Sequence, residues 1–233
     1  MAITITERHH HLSSLPRQIA VFPLREAILL PRSDLPLNVF EPRYLQMIDD
    51  VLGCGRFLGI IQPVSSGIQH GDDTQSPPDK STELRRIGAI GRLTTFQETD
   101  DGRYIISISG IARFRVVDEV DTNEPYRICN VDYSSFVDDL VARLGEDDVD
   151  RAHLLKVLKD YLKANDFDVD WQAIENASNE FLVNSLSMIS PYGAEEKQAL
   201  LEAADLKERS EVLIALAEMD LAAPDDGCSS AIQ

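Results

Sequence analysis

Three adjacent pairs of aspartates are the residues of this sequence that could most directly do chemistry. They are Asp49-Asp50, Asp100-Asp101 and Asp147-Asp148. Carboxylates bind divalent metals and act as general acids and bases, but both uses need carboxylates that converge in space. Neighbours in predicted turns and helix starts give no sign of such convergence. We therefore interpret the three pairs as turn-forming and helix-capping residues.

Histidine and cysteine are too scattered to indicate a site. The three cysteines are Cys54, Cys129 and Cys228. They have neither the even number of a disulfide framework nor the CxxC spacing of a zinc site. His70 and His153 are isolated, and the histidine run at 9–11 lies in a polar leader. We predict no catalytic residue, metal or cofactor, and we expect Cys129, on a predicted strand, to be buried.

The charge is unevenly divided along the chain. The 233 residues carry 22 basic and 40 acidic side chains, a net charge of −18. Residues 1–136 account for −4 of this charge and residues 137–233 for −14. Nucleic acid and anionic membranes are unlikely partners, because phosphates are bound by basic surfaces. No apolar run approaches the ~20 residues that span a bilayer, and no signal peptide is recognisable, so we expect a soluble cytoplasmic protein.

The stretch from Val21 to Ile48 is the most informative part of the chain. Apolar runs end at Phe22-Pro23-Leu24 and at Pro31, and a third run over 35–40 leads into Glu41-Pro42-Arg43. Proline suits the first turn of a helix, where its missing N–H is not needed. The pattern predicts a strand, a turn, a second strand and a helix over 42–52, with Glu41 serving the helix N–H groups and Arg43 forming an ion pair.

Alternating apolar residues predict further strands as far as residue 136. These strands cover 56–62, 84–97, 103–109, 111–120 and 126–133. Gly88 and Gly91 indicate a bulge or a close backbone approach, and Gly110 is expected to break its strand. The polar segment 63–83 is predicted to be a mobile loop. We expect a strongly twisted antiparallel sheet or small barrel with the helix packed against it.

After Phe136 the apolar residues recur at helical spacing. Asp147-Asp148 is predicted to cap the first helix and Ser178 the next, and Asp205 with Glu208 resembles the capping box of the last. The predicted organisation is a flexible leader over 1–17, a β domain over 18–136, a helical bundle over 137–221 and a flexible tail over 222–233. The fold class is therefore α+β.

Five sequence blocks carry a resemblance to a known family. They are FPLREAILLPRSDLPLNVFEPRY at 22–44, RFLGIIQ at 56–62, IGAIGRLTTFQETDDGRYIISISGIARFRV at 87–116, PYRICNVDY at 125–133 and EEKQALLEAADLKERSEVLIALAE at 195–218. In this order and spacing they resemble the N-terminal, or substrate-binding, domain family of Lon proteases. The resemblance implies a PUA-like β pseudo-barrel with one packed helix, followed by a C-terminal helical bundle.

The sequence lacks the parts of full-length Lon proteases that carry out reactions. It contains no Gly-Lys pair and hence no G-x-x-x-x-G-K-[ST] phosphate-binding loop. The residues after 220 also leave no room for a Ser-Lys protease domain. We expect a stand-alone, non-enzymatic member of the family.

The resemblance implies binding of unfolded or degron-bearing polypeptide, in a groove between the β domain and the bundle, as an adaptor in protein quality control. The candidate peptide-binding residues are Phe22, Pro23, Leu24, Pro31, Leu37, Phe40, Arg43 and Tyr44. An extended peptide could also add to a free sheet edge. A separate protease as a partner and a homodimer are both left open.

Two other functions remain open from the sequence. One is an RNA-binding PUA-like module that uses a positive sheet face, and the other is an accessory part of an ATP-dependent peptidase system. The arginines that could form such a face are Arg85, Arg86, Arg92, Arg113 and Arg115. In so acidic a protein we interpret them as partners of aspartate and glutamate.

Overall fold

The strands form one six-stranded sheet in this computed structural model, which describes residues 12–64, 82–164 and 170–222. The strands are β1 Gln18–Pro23, β2 Asp34–Val39, β3 Phe57–Ile61, β4 Ile87–Glu98, β5 Tyr104–Glu119 and β6 Arg127–Asp132. Their order is β2-β5-β4-β3-β1-β6, and β6 also pairs with the C-terminal part of β5. The sheet therefore curls round through β5 as a pseudo-barrel rather than a continuous closed barrel, and β2 lies at an edge.

One strand pairing differs from the antiparallel sheet that the sequence predicted. β1 runs parallel to β3, with Phe22 opposite Ile60, whereas the other strand pairs are antiparallel. Parallel neighbours need a crossover connection, and helix α1, Pro42–Gly53, lies in the chain between these two strands. The sheet is thus mixed, and the α+β class is confirmed.

Helix α1 is held on the sheet by an apolar face and two tyrosines. Its buried residues are Tyr44, Met47, Ile48 and Val51. The hydroxyl of Tyr104 donates to Asp49 at 3.0 Å and that of Tyr126 to Asp50 at 2.8 Å. We had interpreted the Asp49-Asp50 pair as turn-forming or helix-capping, and the structure shows that it does neither. It joins the solvent-facing side of α1 to β5 and to the residue before β6.

Strand β5 runs without a break through Gly110, where the sequence predicted an interruption. The segment before β2 crosses β5 there, with Arg32 N donating to Gly110 O at 2.9 Å and Gly110 N to Ser33 O at 2.8 Å. A Cβ on Gly110 would overlap the carbonyl oxygen of Leu30. This glycine therefore permits a close backbone approach. The bulge predicted near Gly91 is confirmed by a register shift between Ile90 and Gly91.

The C-terminal part of the described chain is helical. The helices are α2 Arg151–Ala164, α3 Trp171–Asn176, α4 Asn179–Ile189, α5 Ala194–Glu202 and α6 Leu206–Ala222. The predicted cap at Ser178 is confirmed by a 3.2 Å hydrogen bond from Phe181 N, and that at Asp205 by a 2.8 Å bond from Glu208 N.

The cap of α2 is not the predicted one. His153 N donates to Asp150 at 3.0 Å, whereas Asp147-Asp148 closes the short 3-10 turn Glu146–Asp148. An N-cap side chain must precede the first helical residue directly, and only Asp150 stands next to Arg151.

Several segments singled out in the sequence lie outside the described residues. They include most of the predicted loop over 63–83 with His70, the histidine run at 9–11, and the predicted tail with Cys228. Residues 12–17, the end of the predicted leader, are described, and Leu15 is buried there. Cys129 is fully buried, as predicted. No helix within the described ranges has the length and apolar character needed to cross a membrane.

A buried arginine joins the sheet to the helices. Arg113 of β5 is 4% exposed. Its Nε and Nη2 donate to the two carboxylate oxygens of Asp139 at 2.9 and 2.8 Å. Asp139 lies in the 3-10 segment Ser134–Leu140, and Arg113 Nη1 also donates to the carbonyl oxygen of Leu201 in α5 at 3.2 Å. The guanidinium lies 4.8 Å from the ring centroid of Phe136. Arg113 therefore belongs to the interior.

The close approach at Gly110 predicts a large effect of one added methyl group. We expect Gly110→Ala to lower the free energy of unfolding by about 1–3 kcal/mol, because the new Cβ must displace backbone. Gly53→Ala is the matched control, since nothing lies within 4 Å of its Cβ position. Urea denaturation measures both. Equal stability of Gly110→Ala and wild type would contradict the close approach.

The buried ion pair predicts a second stability effect. Replacement of Arg113 by Met should cost about 3–5 kcal/mol, because Asp139 would remain buried without its partner. Arg115→Met, at an exposed position of the same strand, should change stability by less than about 0.5 kcal/mol. The double variant Arg113→Met/Asp139→Leu should recover part of the loss, as measured by chemical denaturation. If the stability losses of the single variants Arg113→Met and Asp139→Leu simply added up in the double variant, direct coupling of the two residues would be excluded.

Candidate functional site

The structure places the eight candidate peptide-binding residues in different environments. Phe22, Pro23, Pro31 and Tyr44 are buried, Leu24, Leu37 and Arg43 are partly buried, and Phe40 is exposed. Phe40 is 63% exposed, although it is a large aromatic side chain. A ligand can touch Phe40 and Leu37 without opening the core, whereas the buried members can only support the surface from below.

Three of these residues come together at the start of α1. The rings of Phe22 and Tyr44 have centroids 4.1 Å apart, and the guanidinium of Arg43 lies 4.5 Å from the Tyr44 centroid. Burial raises the pKa of Tyr44 to about 12, so its hydroxyl stays protonated at neutral pH. The Glu41 carboxylate accepts from Arg43 Nε at 3.0 Å and does not cap the helix, contrary to its predicted role. The predicted ion pair of Arg43 is confirmed.

Apolar side chains are exposed around the edge strand β2. We call Leu37, Phe40, Phe96 and Ile105 the β2 patch. Leu37 and Phe96 are both opposite Ile106, on either side of β5, and therefore share one sheet face, whereas Ile105 points from the other face of the same edge. Phe96 and Ile105 are 40% and 48% exposed. Among the described residues no strand pairs with the outer side of β2, so apolar side chains and free backbone groups occur together.

Charged residues lie beside the apolar core at the junction of sheet and helices, where the sequence analysis placed a groove. A cavity of about 230 Å³ lies there, and of the eight candidates Pro31 lines it. Arg32 Nε donates to Glu180 at 2.9 Å. Asn184 Nδ2 donates to the Pro31 carbonyl oxygen at 3.2 Å and its Oδ1 accepts from Arg209 Nη1 at 3.0 Å. Burial lowers the pKa of Arg209 to about 10. At this junction the polar contacts add to a shared apolar core that holds the two parts of the chain together.

A second cavity, of about 290 Å³, lies between α2, α4 and α6. We call it the apolar cavity. Its lining includes Leu158, Tyr161, Leu186, Ile189, Leu213 and Ala217. Sequence analysis missed it, because it interpreted the apolar positions of these helices as ordinary core. The exposed fraction of Ile189, 74%, is the feature that distinguishes this region from a filled core.

The described residues contain no group of three or more His, Cys, Asp or Glu side chains that could hold a metal ion. The surfaces described above are an apolar sheet edge, a junction of polar and apolar residues, and an apolar cavity.

Comparison with known proteins was made at the level of family, sequence and fold. The model of the ATP-dependent protease La (LON) substrate-binding domain matches residues 18–218. Lon protease of Flavobacterium johnsoniae is 26% identical over 211 residues, which are 88% of this chain and 24% of that protein. Lon protease 2 of Sorangium cellulosum is 32% identical over 109 residues, 46% of this chain and 12% of its own length. The chain thus spans a quarter or less of these relatives.

Two solved structures share the fold. The Lon N-terminal domain protein from Xanthomonas campestris has a TM-score of 0.56 and 22% identity, covering 85% of this chain and 97% of its own. The N-terminal domain of the Mycobacterium avium complex Lon protease has a TM-score of 0.58 and 17% identity, covering 86% and 98%. The resemblance seen in the sequence blocks is confirmed. Since the family model extends from β1 into α6, this chain belongs to the LON substrate-binding domain family.

Proposed function

We propose that this chain is a non-enzymatic module that binds unfolded or degron-bearing polypeptide segments at the β2 patch. Its membership of a substrate-binding domain family carries this proposal. Because the matched relatives are Lon proteases, we further propose that the bound polypeptides are substrates for ATP-dependent proteolysis.

The geometry of the β2 patch supports an extended ligand. A peptide that adds to a sheet edge forms main-chain hydrogen bonds and presents alternate side chains to one face. The exposed ring of Phe40 follows β2 directly, and Leu37 and Phe96 lie on one face of the sheet. Large aromatic side chains are the usual anchors of such contacts. Binding through backbone and apolar contacts requires no particular client sequence, which suits unfolded clients.

The placement of the arginines favours polypeptide over RNA. Arg113, which could have contributed to a positive face, is buried against Asp139. Arg85 forms an ion pair with Glu195. RNA binding needs several free basic groups, and these two are already paired within a chain of net charge −18.

Loss of the exposed ring should weaken client binding. We expect Phe40→Ser to raise the Kd for a permanently unfolded, carboxymethylated polypeptide by about tenfold or more, the effect of truncating an aromatic anchor. Val117→Ser is the matched control, since Val117 is 61% exposed at the other end of β5. Fluorescence anisotropy of the labelled polypeptide with the full chain, without ATP, provides the measurement.

Two parallel titrations define the outcome of this experiment. The same polypeptide in its folded form should not bind. Salt-sensitive binding of a mixed RNA pool, without binding of the unfolded polypeptide, would replace this function with nucleic-acid recognition. Equal affinities of wild type and Phe40→Ser would remove the site from the β2 patch.

A further inference from the structure

The apolar cavity between α2, α4 and α6 is a pocket of about 290 Å³ that opens to solvent. An apolar cavity of about 150 Å³ already accepts benzene, so the volume is sufficient for a large side chain. The cavity could hold an aromatic side chain and an aliphatic neighbour.

The lining of the apolar cavity determines which groups it can accept. None of the described residues that line it carries a charge, and the polar side chains among them are Tyr161, Tyr192 and Ser190. A wall of this kind offers too few partners for ordered water and no counter-charge for an ion. Ile189 is part of the lining and 74% exposed, so an apolar group can reach the cavity from solvent.

The nearby charge is negative. Asp220 is exposed on α6, one helical turn beyond Ala217 of the lining. Burial raises the pKa of Tyr161, and the charge of Asp220 raises it further. Burial raises the pKa of Tyr192 to about 12, with smaller contributions from Tyr161 and Asp220. The negative charge of Asp220 therefore acts on both tyrosines of the lining. A group that enters the cavity meets a negative potential beside it.

We propose that the apolar cavity binds a large apolar side chain of a polypeptide segment that carries lysine or arginine beside that side chain. The polypeptide nature of the ligand rests on the proposed function, whereas the position and the preference for basic neighbours rest on the cavity and on Asp220. The cavity is a second contact site, built from other elements than the β2 patch.

The probes are three short peptides that differ in one property each. The first has a central Phe-Leu pair flanked by lysines. The second has alanines in place of the apolar pair, and the third has glutamates in place of the lysines. We expect the first to bind, the second to bind at least tenfold more weakly, and the third to be weaker by a factor that decreases as salt is added.

Filling the cavity should abolish this binding without unfolding the chain. Ala217 lines the cavity, whereas Ala215 is exposed on the same helix and does not line it. Ala217→Phe should reduce the affinity for the first peptide at least tenfold while the Tm stays unchanged or rises. Ala215→Phe should bind as wild type does. Asp220→Asn should weaken binding by about two- to fivefold, as expected for an exposed charge pair.

Methyl NMR of the full chain separates this proposal from the β2 patch. Addition of the first peptide should shift the methyl signals of Ile189 and Ile214, which line the cavity. Shifts confined to Ile105 of the β2 patch would overturn the cavity proposal and leave the proposed function intact. Concentration-dependent shifts of Ile189 without peptide would identify a second copy of the chain as the occupant and overturn it too. The absence of shifts at all three residues would contradict both proposals.

Discussion

The contact between Arg113 and Asp139 is the interaction on which the rest of the structure depends. A guanidinium cannot lose its proton in a protein, so burial of Arg113 is tolerable only where its donors are satisfied. Asp139 accepts hydrogen bonds from the guanidinium Nε and Nη2 and from the backbone N–H of Arg113, and the carbonyl oxygens of Leu201 and Ala203 at the end of α5 accept others. One side chain of the sheet thereby fixes the segment after β6 and the α5–α6 connection. The helices cannot move from the sheet without leaving a buried charge unpaired.

The junction of sheet and helices combines polar contacts with apolar ones. The contacts of Arg113, together with those of Arg32 and Arg209, lie beside an apolar core that the sheet and the helices share. A client segment that entered between these polar groups would have to displace satisfied hydrogen bonds. Apolar side chains are exposed at the β2 patch and around the apolar cavity, and Val141 and Leu144 are half exposed beside the junction. A long unfolded segment could contact both the β2 patch and the apolar cavity, and each contact would raise the effective concentration at the other.

The acidic character of the chain bears on which polypeptide segments it would bind. Binding of diverse unfolded segments relies on apolar contacts and backbone hydrogen bonds, which are not selective. Under the proposed function, the negative charge of the chain would favour segments whose apolar residues have basic neighbours and would repel acidic ones.

The sequence by itself determined the elements: the alternation of the strands, Pro42 at the start of α1, the caps at Ser178 and Asp205, and the blocks that identify the family. Tertiary structure alone decided what covers each face. Arg113 and Arg115 share a face by alternation, yet Arg113 is buried because Asp139, 26 residues later, folds over it, while Arg115 remains exposed. The parallel pairing of β1 with β3 and the apolar cavity likewise depend on contacts between segments that are distant in sequence. Periodicity specifies which side chains point together, but contacts between distant segments determine whether that face is filled, paired or left open.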